Sequence, residues 1–218
     1  EEITKAKQII TQAVIGLIEY LMRAGGAGVE DMSRMFVYKT TRRLLGFSGD
    51  SGAYLRSTVK AIALFGVPPE NSWPYDAALL DAEPDAYHYS FARNFRALAY
   101  ARIDGYEDGD TLDAVKRTLL DGFPVAFGFP VYDSIEAVGE PDFVIPFPQA
   151  QDRLLGGHAV LAVGYDDAIG ALIIRNSWGR EWGCDGYACL PYQYVTGGLA
   201  TDFWSVAASF FASSSICS

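Results

Sequence analysis

Apolar residues Ile3, Ala6, Ile10, Ala13, Val14, Leu17, Ile18 and Leu21 recur at three- and four-residue steps. This period predicts one long amphipathic helix from Thr4 to Arg23, closed by Gly25-Gly26. A second helix is predicted over Ser33 to Leu45, with Met35, Phe36, Leu44 and Leu45 as its apolar positions. A third fits Ala53 to Phe65, between the Gly49-Asp50-Ser51-Gly52 turn and Gly66-Val67-Pro68-Pro69. Residues 68–86 are rich in proline and acid and read as a connector. Beyond them the period shortens. Strands are predicted at Arg96–Ile103, Phe123–Phe129, Ala159–Gly164, Ala171–Arg175, Tyr187–Leu190 and Phe203–Val206. A short capped helix is predicted at Thr111–Leu120, and residues 130–152 read as loop. The Asp166–Gly170 stretch is a turn between two strands. The expectation is an α+β protein, with a helical lobe at residues 1–86 followed by a mostly antiparallel β lobe at residues 87–218.

Bulk composition narrows the function classes. Half of the 218 residues are hydrophobic and 14% are aromatic, enough for a sizeable core and against disorder. A formal charge of −10 would repel a polyanion, so neither a nucleic-acid partner nor an acidic membrane surface is expected. No apolar run reaches the ~18 residues a membrane helix needs. The three cysteines, Cys184, Cys189 and Cys217, fall in the last 35 positions and do not resemble a disulfide framework. Residues 1–23 do not resemble a secretory signal. Together these favour a reducing, cytoplasmic location and leave the oligomeric state open.

Chemistry concentrates near the end of the chain. Gly156-Gly157-His158-Ala159-Val160 is followed by Arg175-Asn176-Ser177-Trp178-Gly179, then Trp182-Gly183 and Gly186-Tyr187. Two strands joined by a short turn would set His158 beside Asn176. The combination resembles the papain-like cysteine peptidases, and the resemblance covers most of the chain with gaps in its middle. In the helical lobe, Asp50-Ser51-Gly52, then Gly66-Val67, then Ser72-Trp73-Pro74-Tyr75 follow in the family's order. The resemblance implies a two-lobe fold with a peptide-binding cleft between the lobes. It also implies His158 as acid/base, Asn176 as the amide that orients the imidazole, and Trp178 as the indole that excludes water from their contact. Gly157 and Gly52 would lie along a bound peptide, Gly52 letting its backbone approach and pair. The competing reading of Gly52 is an ordinary turn before a helix.

The nucleophile is where the chain departs from the family. A thiolate kept ionised by the imidazolium should open the long first helix, ten residues before a glutamate. Glu19 puts that position at Ile9, 149 residues before His158 and inside the ~130–150 spacing expected. Isoleucine has no reactive group, and no cysteine precedes His158 in these 218 residues. Counting back to the family's oxyanion glutamine reaches Ile3, with Gln8 and Gln12 at the wrong offsets. A helix running through Lys5 to Gln8 would bond the Ile9 amide internally and remove a backbone oxyanion donor. Three readings follow: a peptidase whose nucleophile segment is missing from the chain as written, a pseudopeptidase that binds a peptide or protein in the old cleft, or an acyl-transfer enzyme with a thiol elsewhere.

Other candidates carry less. Thr11 is read as a solvent-facing helix residue, and His88 as a surface or packing residue. Cys184 and Cys189 are read as inert small hydrophobes, and Cys217 as exposed. The acidic run Asp104 to Asp110 reads as a solvated loop. No spacing suggests a metal or a phosphate-binding cofactor.

Overall fold

The structure, a computed structural model, describes residues 9–26, 31–105 and 110–208. It shows two compact units. One runs through the chain up to Tyr100 and takes in the chain from Val206 on, and the other is Ala101–Ser205.

The first unit is helical. α1 is Ile9–Ala24, α2 is Arg34–Leu45, α3 is Leu55–Phe65 and α4 is Ala86–Ala92. Every residue of α1 from Ala13 to Glu19 is buried, so this helix lies among its neighbours with no solvent stripe over that stretch. Thr11 is fully buried, which corrects the expectation of a solvent-facing threonine. Glu19 is tolerated inside because its Oε1 accepts the Met32 N–H at 3.4 Å. The predicted start of this helix at Thr4, its passage through Lys5–Gln8 and the bonding of the Ile9 amide lie outside the described residues.

α2 starts where the capping rule puts it. Ser33 Oγ accepts the Phe36 N–H at 3.1 Å, and Gly46 closes the helix in the left-handed region. Its buried residues are Met35, Phe36, Val37, Tyr38, Thr40, Thr41 and Arg42, while Leu44, one of its apolar positions, is 37% exposed. Tyr38 and Arg42 on this helix have partners remote in sequence, among them Asp50, Leu80 and Asp81. α3 ends at Gly66, where a Cβ would come within 1.9 Å of the Ala92 carbonyl oxygen, so only glycine lets α3 and α4 approach this closely. The periodicity does not foretell α4. Asp85 starts it by accepting the His88 N–H at 3.0 Å. The His88 ring lies 2.6 Å from Asp85 Oδ1, 3.1 Å from the Ser72 carbonyl and edge-on to Trp73, so it is a packing residue.

The second unit is built on the sheet. β1 is Ala99–Arg102, β2 Val125–Tyr132, β3 Leu154–Asp166, β4 Ala171–Arg175, β5 Tyr187–Pro191 and β6 Thr201–Ala207, in the order β1-β6-β2-β3-β4-β5. The unit boundary falls within β1 and β6. The pairs β2–β3, β2–β6, β3–β4 and β4–β5 are antiparallel. α5 (Thr111–Leu120), capped by Asp110, packs on β2 and β3, and α6 (Gln193–Thr196) beside β5. Phe127 and Phe203 stack at 4.7 Å in a core that includes Val160, Leu172, Ile174, Leu190 and Tyr194. Burying each such large side chain is worth ~1.5–3 kcal/mol.

β3 is twice as long as expected because Leu154–Gly157 pair with Pro130–Tyr132, residues read as loop. Pro130 is accommodated because β6 pairs with β2 only as far as Gly128. The β5 edge is covered by residues 143–145, with Ile145 N–H donating to the Cys189 carbonyl at 2.9 Å.

Candidate active site

β3 and β4 form a hairpin that closes at Asp166 opposite Ala171, with Leu161 opposite Arg175. His158 projects from β3 at the position opposite Phe129 of β2, and Asn176 is the first residue after β4. The hairpin brings them together as its spacing implied: His158 Nε2 lies 2.8 Å from Asn176 Oδ1.

The proton positions follow from the partners. Asn176 Oδ1 also accepts the Ser177 N–H at 2.7 Å, which identifies it as the oxygen of the amide. Nε2 must then be the donor, so the neutral ring keeps its lone pair on Nδ1. Nδ1 is buried and has no hydrogen-bond partner among the described residues, and the same holds for Asn176 Nδ2. Burial pushes the imidazole down to about 4, against the opposing pull of the Asn176 hydrogen bond, so the ring is neutral at pH 7. What results is a fixed base with an unused acceptor nitrogen, able to take a proton from any donor that comes within hydrogen-bonding reach of Nδ1.

Aromatic rings surround the imidazole. Trp178 lies over it with centroids 4.8 Å apart and planes tilted by 31°, Phe129 meets it edge-on at 5.9 Å, and Trp182 stands edge-on against Trp178 at 5.3 Å. Trp178 remains 41% exposed, so it screens the ring from water while offering an apolar surface outward. The glycines of the motif hold the supporting loop. Asn176 N–H donates to the Gly186 carbonyl at 2.9 Å, and Gly186 N–H to the Trp182 carbonyl at 2.8 Å. At Gly183, φ is +61° and a Cβ would lie 2.2 Å from the Tyr187 carbonyl oxygen. Phe129, the Ser177 amide and the Gly186 carbonyl do not stand out in the sequence. An apolar residue in a strand and two backbone groups leave no distinguishing signal there.

The remaining predicted residues separate by role. Gly157 pairs with Pro130 and has open space where a side chain would stand. Gly52 has φ +86° with open space around it, and its N–H donates to the Tyr38 hydroxyl at 3.0 Å. That amide is therefore engaged within the protein. Ile9 is the first residue of α1 as described and carries no thiol. Cys184, expected to be an inert small hydrophobe, has an exposed thiol. Cys189 is half-buried and free, and burial pushes its thiol up. Cys217 and residues 106–109 of the acidic run lie outside the described residues. Asp104, from that run, accepts the Asp202 and Phe203 amides at 3.0 Å each and pairs with Arg102, a structural clamp. Among the described residues no group of three or more His, Cys, Asp or Glu could hold a metal ion, and no helix is long and apolar enough to cross a membrane.

Comparison with known proteins agrees with this geometry. An uncharacterized peptidase C1-like protein of Acanthamoeba polyphaga mimivirus is 38% identical over 180 residues, 80% of this chain and 58% of its own length. Human cathepsin O is 26% identical over 92% of this chain and 63% of its own length. The chain thus spans less than two thirds of these curated relatives. Xylellain, a cysteine protease from Xylella fastidiosa, superposes with a TM-score of 0.82 at 34% identity, over 93% of this chain and 80% of that one. Bromelain from Ananas comosus shares the fold, with a TM-score of 0.67 at 20% identity over 94% of this chain and 90% of that one. The fold is papain-like, the Papain family cysteine protease profile matches residues 40–205, and the chain belongs to that family.

Proposed function

We propose that the chain as written is a peptide-binding member of the papain family that does not hydrolyse what it binds. One observation carries this reading. His158 is oriented and shielded as a catalytic base, yet its Nδ1 has no partner among the described residues, and the sequence holds no cysteine before it. A peptide would occupy the cleft that the family resemblance implies, with Trp178 as an apolar contact. Without a thiol bonded to Nδ1 no acyl-enzyme forms at this ring, and the imidazole has no sulfur proton to accept. His158 and Asn176 keep their family roles in geometry, as proton acceptor and orienter.

A peptidyl epoxide directed at papain-type thiols tests this. No adduct that depends on His158 is expected on the 218-residue chain, whereas Ile9→Cys is expected to become labelled at position 9. Stoichiometric labelling of the unaltered chain that is lost in His158→Ala would overturn the proposal.

A second reading is favoured by the intact tautomer of His158: a peptidase whose thiol comes from sequence not included in these 218 residues. Under it, a chain carrying that thiol hydrolyses peptide amides, with Asn176→Ala lowering kcat. Under the first reading the natural protein shows binding alone.

A further inference from the structure

We infer that Tyr38 is a positioning residue for the Gly49–Gly52 turn, and thereby for any peptide backbone that lies along Gly52. The inference rests on the proposed reading of Gly52 as part of a peptide site.

One phenol oxygen joins both ends of the tightest part of this turn. The Tyr38 hydroxyl donates to Asp50 Oδ1 at 2.6 Å and accepts the Gly52 N–H at 3.0 Å. A hydroxyl has one proton and two lone pairs, so donating to Asp50 aims a lone pair at the Gly52 amide. Burial and the Asp50 hydrogen bond push the phenol up to about 12, so the proton needed for this arrangement is present at neutral pH. The ring itself is fully buried.

The neighbouring side chain fixes the other end. Arg42, one helical turn along α2, stacks on the Tyr38 ring with its guanidinium carbon 4.5 Å from the centroid. Its Nη1 donates to the Gly49 carbonyl and, at 3.1 Å, to Asp81 Oδ1, and its Nη2 donates to the Leu80 carbonyl. Asp81 in turn accepts the Gly49 N–H at 3.0 Å. Gly49 and Gly52 are thus both tied to α2, and no disulfide takes part because no cysteine lies in this part of the chain. Gly52 at φ +86° has little conformational restraint of its own, so losing the phenol oxygen frees the position a peptide would read.

Tyr38→Phe removes only that oxygen. Hydrogen exchange of the Gly52 amide is the direct readout: strong protection is expected in the unaltered chain and a roughly tenfold loss in Tyr38→Phe. Asp50→Ala, which leaves the ring in place, is expected to lose protection in the same direction by less, and serves if Tyr38→Phe does not fold. In an Ile9→Cys background, labelling at position 9 is followed by peptide mapping, because Cys184 is also exposed. A peptidyl epoxysuccinate, which must lie along the site, is expected to react about tenfold more slowly in Tyr38→Phe. Iodoacetamide, which reads the thiol alone, is expected to react at an unchanged rate. Unchanged Gly52 exchange in Tyr38→Phe overturns the inference, and so does an equal fall with both reagents, which marks a general structural role. If Ile9→Cys takes up neither reagent, the proposed peptide site falls, and the Gly52 exchange still decides the role of Tyr38 alone.

Discussion

Two polar clusters, one in each unit, satisfy their buried groups to different degrees. In the helical unit Arg42 is 1% exposed and both of its terminal nitrogens are engaged while its Nε has no partner among the described residues, and Tyr38 uses its hydroxyl as donor and acceptor at once. In the β unit His158 and Asn176 are nearly as buried, and the atoms without a partner among the described residues include Nδ1, the acceptor nitrogen of the imidazole. The first arrangement recovers most of the desolvation of its polar groups and fixes a turn. The second leaves a desolvation cost in place on a titratable ring. Burial alone does not separate structural from chemical polar residues. Nor does one unpaired atom, since Thr11 Oγ1, Thr41 Oγ1, Arg42 Nε and Trp73 Nε1 also lack partners among the described residues; what sets His158 apart is that its unpaired atom is a basic nitrogen.

The comparison breaks most visibly at Arg42. Arg42→Met keeps the bulk but removes the Arg42 hydrogen bonds to the Gly49 and Leu80 carbonyls and the Asp81 carboxylate. Three hydrogen bonds at about 1 kcal/mol each predict a loss of about 3 kcal/mol, read from the urea midpoint at constant m. A change below about 0.5 kcal/mol would show that the cluster is not structural. His158 supplies the matching test in the other unit. Its folded value of about 4 is below its ordinary 6.5, so the unfolded state binds the proton first as pH falls. The neutral ring's contribution is complete above pH 6.5, declines between 6.5 and 4, and is gone below 4, for at most about 3 kcal/mol. Urea unfolding across that window should therefore lose more stability in the unaltered chain than in His158→Gln. Parallel curves would sink the claim that the ring is buried neutral. The smallest effect is expected for Trp178→Ala. Uncovering the ring should move its titration upward from about 4 toward the ordinary value, followed by the imidazole proton resonances.

What could be read beforehand follows from periodicity and spacing. α1, α2, α3 and the β3–β4 hairpin announced themselves, and the distance between His158 and Asn176 along the hairpin foretold their contact. α4 escaped because seven residues are too few for a clear 3.6-residue pattern and its start depends on the Asp85 cap. The first residues of β3 escaped because Gly156 and Gly157 carry no β signal, and only pairing with Pro130 and Val131 extends the strand there.

Sequence alone determined the family constellation and the hairpin that assembles His158 with Asn176, because these depend on residue identity and short-range spacing. Only the tertiary structure decided that Thr11 and Arg42 lie inside, that Leu44 lies outside, that the Gly52 amide belongs to Tyr38, and that the His158 ring keeps a partnerless nitrogen. Burial and hydrogen-bond partnership are properties of contacts between residues such as Arg42 and Asp81, remote along the chain, and no local pattern encodes them.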